Sequence, residues 1–414
     1  GNLCSAWLAA TSATEDRSGG PGCDLAYELL MQSDTLSRGH AQWFFFAAMP
    51  EEQSVRDAGA AGLSVRFRLL NFRSSRSLFS SGLAPAVWDP SGQRWRYDLC
   101  WDVEWKTGPL MKARCCDAEL PHHALSFRYK FRAGTQPVFF ASSHPYTLSF
   151  LSATLSWLEA DPRRRHLLRR HSLGPSLAGG RLELVRVSEA LGSWGAEPTG
   201  ERLRETAPSS YKRFERRDAG QDEPEVQRPV VVVVARQHPG ECQGSWMAHG
   251  LLEFLTDPED EQARALRQMY CFHIVPMLNP DGVVFGNSRC TLAGIDPNRY
   301  WDEPVASQQP EVFALKEHII NLPSGCYMFL DLHQHSVKRG IFFYGCQYDA
   351  ERPYRDGTAD AAPENLQLLA LLSARQCERV HWPHCRSSMP ACKRSTARCV
   401  AFAELGVPWV YTVE

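Results

Sequence analysis

A histidine and a glutamate three positions apart, His238 and Glu241, follow directly on the valine run Val230–Val234. Strand ends are where open α/β sheets place their chemistry. An imidazole and a carboxylate at this spacing on one tight turn can close on a single metal ion. Much further on, a second strand-like run, Tyr327–Leu332, delivers His333. Two histidines and a glutamate leave one position of a tetrahedral zinc open for water, the arrangement of a hydrolytic rather than a structural site. His335 is a rival third donor, because in an extended segment it faces the same side as His333. Asp331 faces that side too and can orient an imidazole.

These donors need a scaffold, and the chain divides into stretches of different grammar. Residues 1–22 are small and polar and read as a disordered lead. From 23 to 150, aromatic and branched runs such as Gln42–Phe46, Val65–Leu70 and Leu125–Phe131 alternate with turn signals such as Asp89-Pro90-Ser91-Gly92. That pattern predicts a small antiparallel β-sandwich. Residues 151–228 read as a helical and charged connection, with Arg163, Arg164, Arg165, Arg169 and Arg170 on a solvated helix face. From 229 to 414, strands at 230–234, 271–275, 327–332 and 409–413 alternate with helices near 244–255, 310–320 and 364–380. The expected class is α/β: a mixed, mostly parallel sheet with flanking helices, preceded by the sandwich.

Bulk properties exclude several alternatives. The 414 residues carry 45 Lys and Arg against 47 Asp and Glu, a net charge near −2, so no basic surface for nucleic acid is expected. No apolar run approaches the ~18 residues needed to span a bilayer. The 14 cysteines are scattered and form no CxxC pair, which reads as reduced thiols rather than a disulfide framework. The opening Gly1-Asn2-Leu3-Cys4-Ser5 fits myristoylation at Gly1 with palmitoylation at Cys4, two lipids being what stable anchoring requires. Membrane association is expected only if both are acylated.

Five motifs occur in order: His238-Pro239-Gly240-Glu241, Asn279-Pro280-Asp281-Gly282-Val283, Gly286-Asn287-Ser288-Arg289-Cys290, Asp296-Pro297-Asn298-Arg299 and Asp331-Leu332-His333-Gln334-His335-Ser336. Together they resemble the cytosolic carboxypeptidases, a branch of the zinc metallocarboxypeptidases that trims glutamates from protein tails, tubulin above all. Asn71-Phe72-Arg73, Ser77-Leu78-Phe79 and His144-Pro145-Tyr146-Thr147 look like that family's N-terminal β domain, so the resemblance runs from roughly residue 30 to 414.

The resemblance implies one zinc per chain, held by His238, Glu241 and His333, which leaves His335 to support a ligand or to face substrate. It makes Arg289 the group that polarises the scissile carbonyl, and Asn298 and Arg299 the grip on the substrate's terminal carboxylate. A guanidinium fork suits such a carboxylate where a lysine would not. Tyr411-Thr412-Val413-Glu414 is similar to the family's Tyr-Thr-Leu-Glu signature, which makes Glu414 the general base, with Glu404 as the fallback. Relatives continue past that glutamate, so a C-terminally truncated carboxypeptidase domain is expected. Lys393-Arg394-Ser395-Thr396-Ala397-Arg398 resembles the family's Gly-Thr-Gly-Arg stretch, assigning Arg398, with Lys393 as second candidate, to a glutamate side chain. Ser395 and Ala397 replace glycines there; Pro297, Cys242 and Gln334 depart from the usual leucine, threonine and glycine. The implied partners are glutamylated tails in the cytoplasm, with a silent tail-binding module as the alternative.

Overall fold

The computed structural model describes residues 1–9, 25–37, 39–90, 92–112, 119–132, 136–189, 228–346 and 368–414. Its centre is an eight-stranded sheet. The strand order is β10 (Leu168–Pro175), β11 (Arg181–Val187), β13 (Cys271–Val275), β12 (Val230–Ala235), β14 (Cys326–Leu332), β17 (Trp409–Val413), β15 (Phe343–Gly345) and β16 (Arg386–Ser387). The inner four, β13-β12-β14-β17, run parallel; β11 joins β13, and β15 joins β17, antiparallel.

The valines of β12 show why this strand is central. Val231 and Val233 enter one apolar layer, and Val230, Val232 and Val234 enter the opposite one. The first layer is covered by α2 (Leu148–Ala160) and α3 (Cys242–Leu255), through Leu151, Leu155, Ala248 and Leu252. The second is covered by α6 (Pro310–Ile320) and α8 (Ala397–Ala403), through Val312, Leu315, Val400 and Phe402. A parallel strand buried on both faces loses its polar alternation, hence the unbroken valine run. Each such side chain contributes about 2 kcal/mol on burial. Three further helices complete this part: α4 (Glu261–Met269), α5 (Pro280–Phe285) and α7 (Leu368–Gln376).

Helix α3 lies flush on its sheet. A Cβ at Gly244 would stand 2.5 Å from the Leu332 carbonyl oxygen, so backbone touches backbone there.

Ahead of this core sits the expected sandwich. One sheet has the order β1 (Leu3–Leu8), β2 (Leu25–Met31), β4 (Leu63–Phe72), β8 (Glu119–Phe131), β7 (Trp101–Lys112). The other is β3 (Phe45–Ala48), β9 (Val138–Ala141), β5 (Ala86–Asp89), β6 (Arg94–Arg96). Phe67 and Phe127 of the first sheet meet Phe46 and Phe140 of the second, with ring centroids 5.2–5.8 Å apart. The short helix α1 (Glu52–Asp57) precedes β4. Pairing is antiparallel except between β2 and β4, which run parallel.

Three expectations need correction. The first residues do not form a disordered lead: Leu3–Leu8 pairs with β2, and Asn2 is buried, its amide donating to the Trp43 carbonyl at 2.7 Å. Gly1 therefore lies against the Phe45 carbonyl, while Cys4 is exposed on an edge strand. The remainder of that lead, 10–22, is outside the described residues. Nor is the described part of 151–228 simply a helical connection, because β10 and β11 extend the eight-stranded sheet; residues 190–227 lie outside the described residues. Arg169 and Arg170 stand on β10, not on a helix, and Arg170 pairs with Glu183 of β11 at 2.6 Å. Of the expected helix at 364–380, Leu368–Gln376 is helical, and residues 364–367 lie outside the described residues. Among the described residues, no helix is long and apolar enough to cross a membrane.

Candidate metal centre and active site

Three adjacent parallel strands, β12, β14 and β17, end together. Ala235 pairs with Leu332, and Leu332 with Val413. The residues that follow are therefore neighbours: the His238–Glu241 turn after β12, His333 after β14 and Glu414 after β17. The His333 amide donates to the Val413 carbonyl at 2.8 Å, and the Glu414 backbone pairs with Phe342.

The first turn is shaped by Arg236, whose φ of 59° lies in the left-handed region. That conformation costs a non-glycine residue about 1–2 kcal/mol and persists where surroundings over-determine it. Here they do. The buried guanidinium donates to the Pro239 carbonyl (2.7 Å), the Tyr146 carbonyl (3.1 Å), Ser245 Oγ (3.3 Å) and Cys242 Sγ (3.3 Å). Glu241 then stands at the N-cap position of α3, where its carboxylate turns to the histidines instead of capping the helix.

The donor atoms of His238, Glu241 and His333 all lie within 4.8 Å of one another. Their outer partners decide whether a cation fits. His238 Nε2 stands 3.1 Å from Asp296 Oδ1, and His333 Nε2 stands 2.8 Å from Asp331 Oδ2. A carboxylate against Nε2 places the proton there and leaves a lone pair on Nδ1. Both Nδ1 atoms face Glu241 oxygens, at 2.9 Å from His238 and 2.8 Å from His333. Such close approach requires a positive charge between each ring nitrogen and the carboxylate, a proton or a metal ion, and the three donor atoms converge on one point. Two nitrogens and a carboxylate suit zinc.

His335 is not in this group. Its Nδ1 accepts from the Val337 and Lys338 amides at 3.1 and 2.9 Å, making it a turn cap. The alternative between the two histidines thus resolves to His333. Asp331 is buried and holds more than His333: its Oδ1 accepts from Gln237 Nε2 at 2.7 Å, while Gln237 Oε1 accepts from Trp301 Nε1 at 2.9 Å.

Glu414 sits half-buried beside the triad. Burial pushes its carboxyl up to about 7, a value at which it can exchange a proton near neutrality. Glu404 is elsewhere, paired with Lys316 at 2.6 Å, so the fallback base is removed.

The cationic groups gather on the loops. Arg289 Nε donates to Asp296 Oδ2 at 2.6 Å. Although burial opposes it, Asp296 and Glu241 hold this guanidinium charged. Arg299 stands 4.0 Å from the same carboxylate. Lys393 completes the group: burial first, then Arg299 and Arg289, push its ammonium pKa down. Asn298 is placed differently from a free substrate ligand. Its Oδ1 accepts from the Ala397 amide at 2.8 Å, and its Nδ2 lies 3.4 Å from Asp331, tying α8 to the triad. Arg398 is buried and donates to the Gly345 and Ser388 carbonyls, with its guanidinium 5.9 Å from the Tyr344 ring centroid. Lys338, which the motifs did not single out, reaches that tyrosine too, donating to its hydroxyl at 3.1 Å. Asp296 was legible only as part of a motif; its bridging of His238 and Arg289 was not.

The zinc carboxypeptidase family model matches residues 155–414, more than half of the chain. The chain belongs to the zinc carboxypeptidase family. Its His-Glu-His set is the zinc-binding triad of that family. Among curated relatives, cytosolic carboxypeptidase 4 of Mus musculus is 30% identical over 410 residues, covering 94% of this chain and 33% of the relative. The Homo sapiens counterpart is 28% identical over 407 residues, with 94% and 34% covered. Cytosolic carboxypeptidase 1 of Danio rerio is 29% identical over 403 residues, with 94% and 32% covered. The chain thus spans about a third of the length of these relatives. Among solved structures, a metallo-carboxypeptidase from Burkholderia cenocepacia aligns with a TM-score of 0.67 at 20% identity, covering 100% of this chain and 87% of that one. A metallo-carboxypeptidase from Pseudomonas aeruginosa gives 0.62 at 22% identity, covering 99% and 86%. These likenesses establish the fold on which the zinc carboxypeptidase triad is carried.

Proposed function

We propose that this chain is a zinc-dependent metallocarboxypeptidase that removes glutamate from the C-terminal or side-chain polyglutamate tails of cytoplasmic proteins such as tubulin. The observation that carries the reading is the convergence of a buttressed His-Glu-His triad, a half-buried carboxyl with a raised pKa and several cations beyond the carboxyl ends of the central strands. Zinc held by His238, Glu241 and His333 supplies Lewis acidity at a scissile carbonyl. Glu414 takes a proton from the attacking water and returns it to the leaving amine. Arg289 donates to the carbonyl oxygen as negative charge develops, the kind of electrostatic contribution that usually dominates. Arg299 and Lys393 meet the terminal carboxylate, and Asn298 fixes the backbone around them. Arg398, which shares Tyr344 with Lys338, favours an acidic side chain next to the scissile bond. The cytosolic carboxypeptidase relatives support a protein tail over nucleic acid as partner, and the cations around the triad favour an acidic one.

The test is free glutamate released from a synthetic peptide ending in several glutamates. Release that a zinc chelator stops, and that falls by about 10³ in Glu414→Gln with zinc content unchanged, supports the reading. A zinc-loaded, folded protein that releases nothing but binds the peptide is instead a silent tail-binding module.

A further inference from the structure

The loop that carries Arg289 is held by a residue from the other domain. Asp34 lies in a turn of the β domain, after β2, and is buried. Its Oδ1 accepts from the Ser288 amide at 2.6 Å and from Ser288 Oγ at 2.8 Å. Its Oδ2 accepts from the Arg289 amide at 2.6 Å and from the Cys290 amide at 2.7 Å. Three consecutive backbone N–H groups converging on one anion form a nest. All four partners are donors, so the position needs an acceptor-only group with two oxygens, and an ionised carboxylate is the side chain that supplies one.

The grip extends to both sides. Thr35, next in the chain, donates through its amide and hydroxyl to Asn287 Oδ1 at 3.0 and 3.1 Å. On the far side, the Gly240 amide donates to the Ser288 carbonyl at 2.8 Å. A Cβ at Gly240 would meet that carbonyl oxygen at 2.8 Å and the Trp43 Cβ at 3.0 Å. The Arg289 loop is therefore clasped between the β domain and the turn that carries His238 and Glu241.

We propose that Asp34 is the positioning residue for Arg289, so that docking of the β domain completes the active site. Resting on the carboxypeptidase reading above, this makes the β domain part of the catalytic apparatus rather than an appendage. Asp34 touches no reacting atom. It acts by fixing the backbone from which the Arg289 side chain departs.

The experiment uses the full zinc-loaded chain and the near-isosteric Asp34→Asn, which sets an amide NH₂ against two of the donors. Hydrogen exchange should speed up at Ser288, Arg289 and Cys290 while β12 and β14 keep their protection. On an oligoglutamate peptide, kcat should fall by about a hundredfold with KM nearly unchanged, the scale of a misplaced catalytic group. In an Arg289→Ala background the same substitution should cost less than about twofold, because the group it positions is gone. Unchanged exchange at the three amides, a rise spread evenly over the molecule, or losses that multiply with those of Arg289→Ala would overturn the proposal. Should Asp34→Asn fail to fold, Ser288→Ala removes one of the four bonds. The same three amides must then loosen, and unaltered exchange rejects the idea. If the wild-type chain releases no glutamate, the function reading falls, and amide exchange alone still decides whether Asp34 orders this loop.

Discussion

The two halves of the site are built differently. The zinc donors stand at the ends of β12, a strand buried on both faces, and its neighbour β14, and each imidazole is braced by a carboxylate. The cations stand on connections: Arg289 in a loop clasped by the β domain, Arg299 in another, Lys393 just before α8 and Arg398 within it. The first half is set by sheet register, the second by loop contacts reaching across the molecule. A metal must be held in one geometry, whereas a carboxylate can be met by charges from several directions, so only the first half demands strand ends.

Breaking the loop half alone gives the largest expected effect. Arg289→Ala should lower kcat by about 10²–10³ with zinc content unchanged, the usual consequence of losing one donor to a developing oxyanion. A variant that also loses zinc would show that the halves are not separable. Breaking the bracing of the strand half comes next. Asp331→Asn should weaken zinc by about 10–100-fold, read by competition with a chromophoric chelator. Affinity equal to wild type would mean that His333 is oriented by the backbone alone.

The smallest effect contrasts these braced carboxylates with a buried one that serves no histidine. Glu311, at the start of α6, accepts from the Leu177 amide at 3.3 Å, and burial pushes its carboxyl up to about 7. The fold therefore favours the protonated form. The stability this contributes is present below about pH 4.5 and lost as pH rises through about 7, amounting to at most about 3 kcal/mol. Glu311→Gln should flatten that part of the stability curve in denaturant titrations. An unaltered slope would place the titrating group elsewhere.

The same division explains what could be read from the chain. The valine run, the spacing of His238 and Glu241, and the strands at 271–275 and 409–413 are local patterns, and the structure reproduces them. Strands β10 and β11 were missed because their charges read as solvated helix. As a sheet edge and its neighbour they carry cross-strand ion pairs instead, among them Arg170 with Glu183. Asp34 left no trace, since its partners lie 254–256 positions away and its own turn is merely small and polar. The choice between His333 and His335 was open because period-two geometry places both on one face. The turn after β14, which folds His335 Nδ1 back onto the Val337 and Lys338 amides, decides it.

The flush contact at Gly244 has an evolutionary corollary. Helix α3 begins at the residue after Glu241, and the Leu332 carbonyl it rests against immediately precedes His333. Main chain against main chain works here as a gauge block. The separation of two zinc donors is set without any side chain between them. The core around the block can change its apolar residues, as relatives only 28–30% identical have room to do, without resetting that gap.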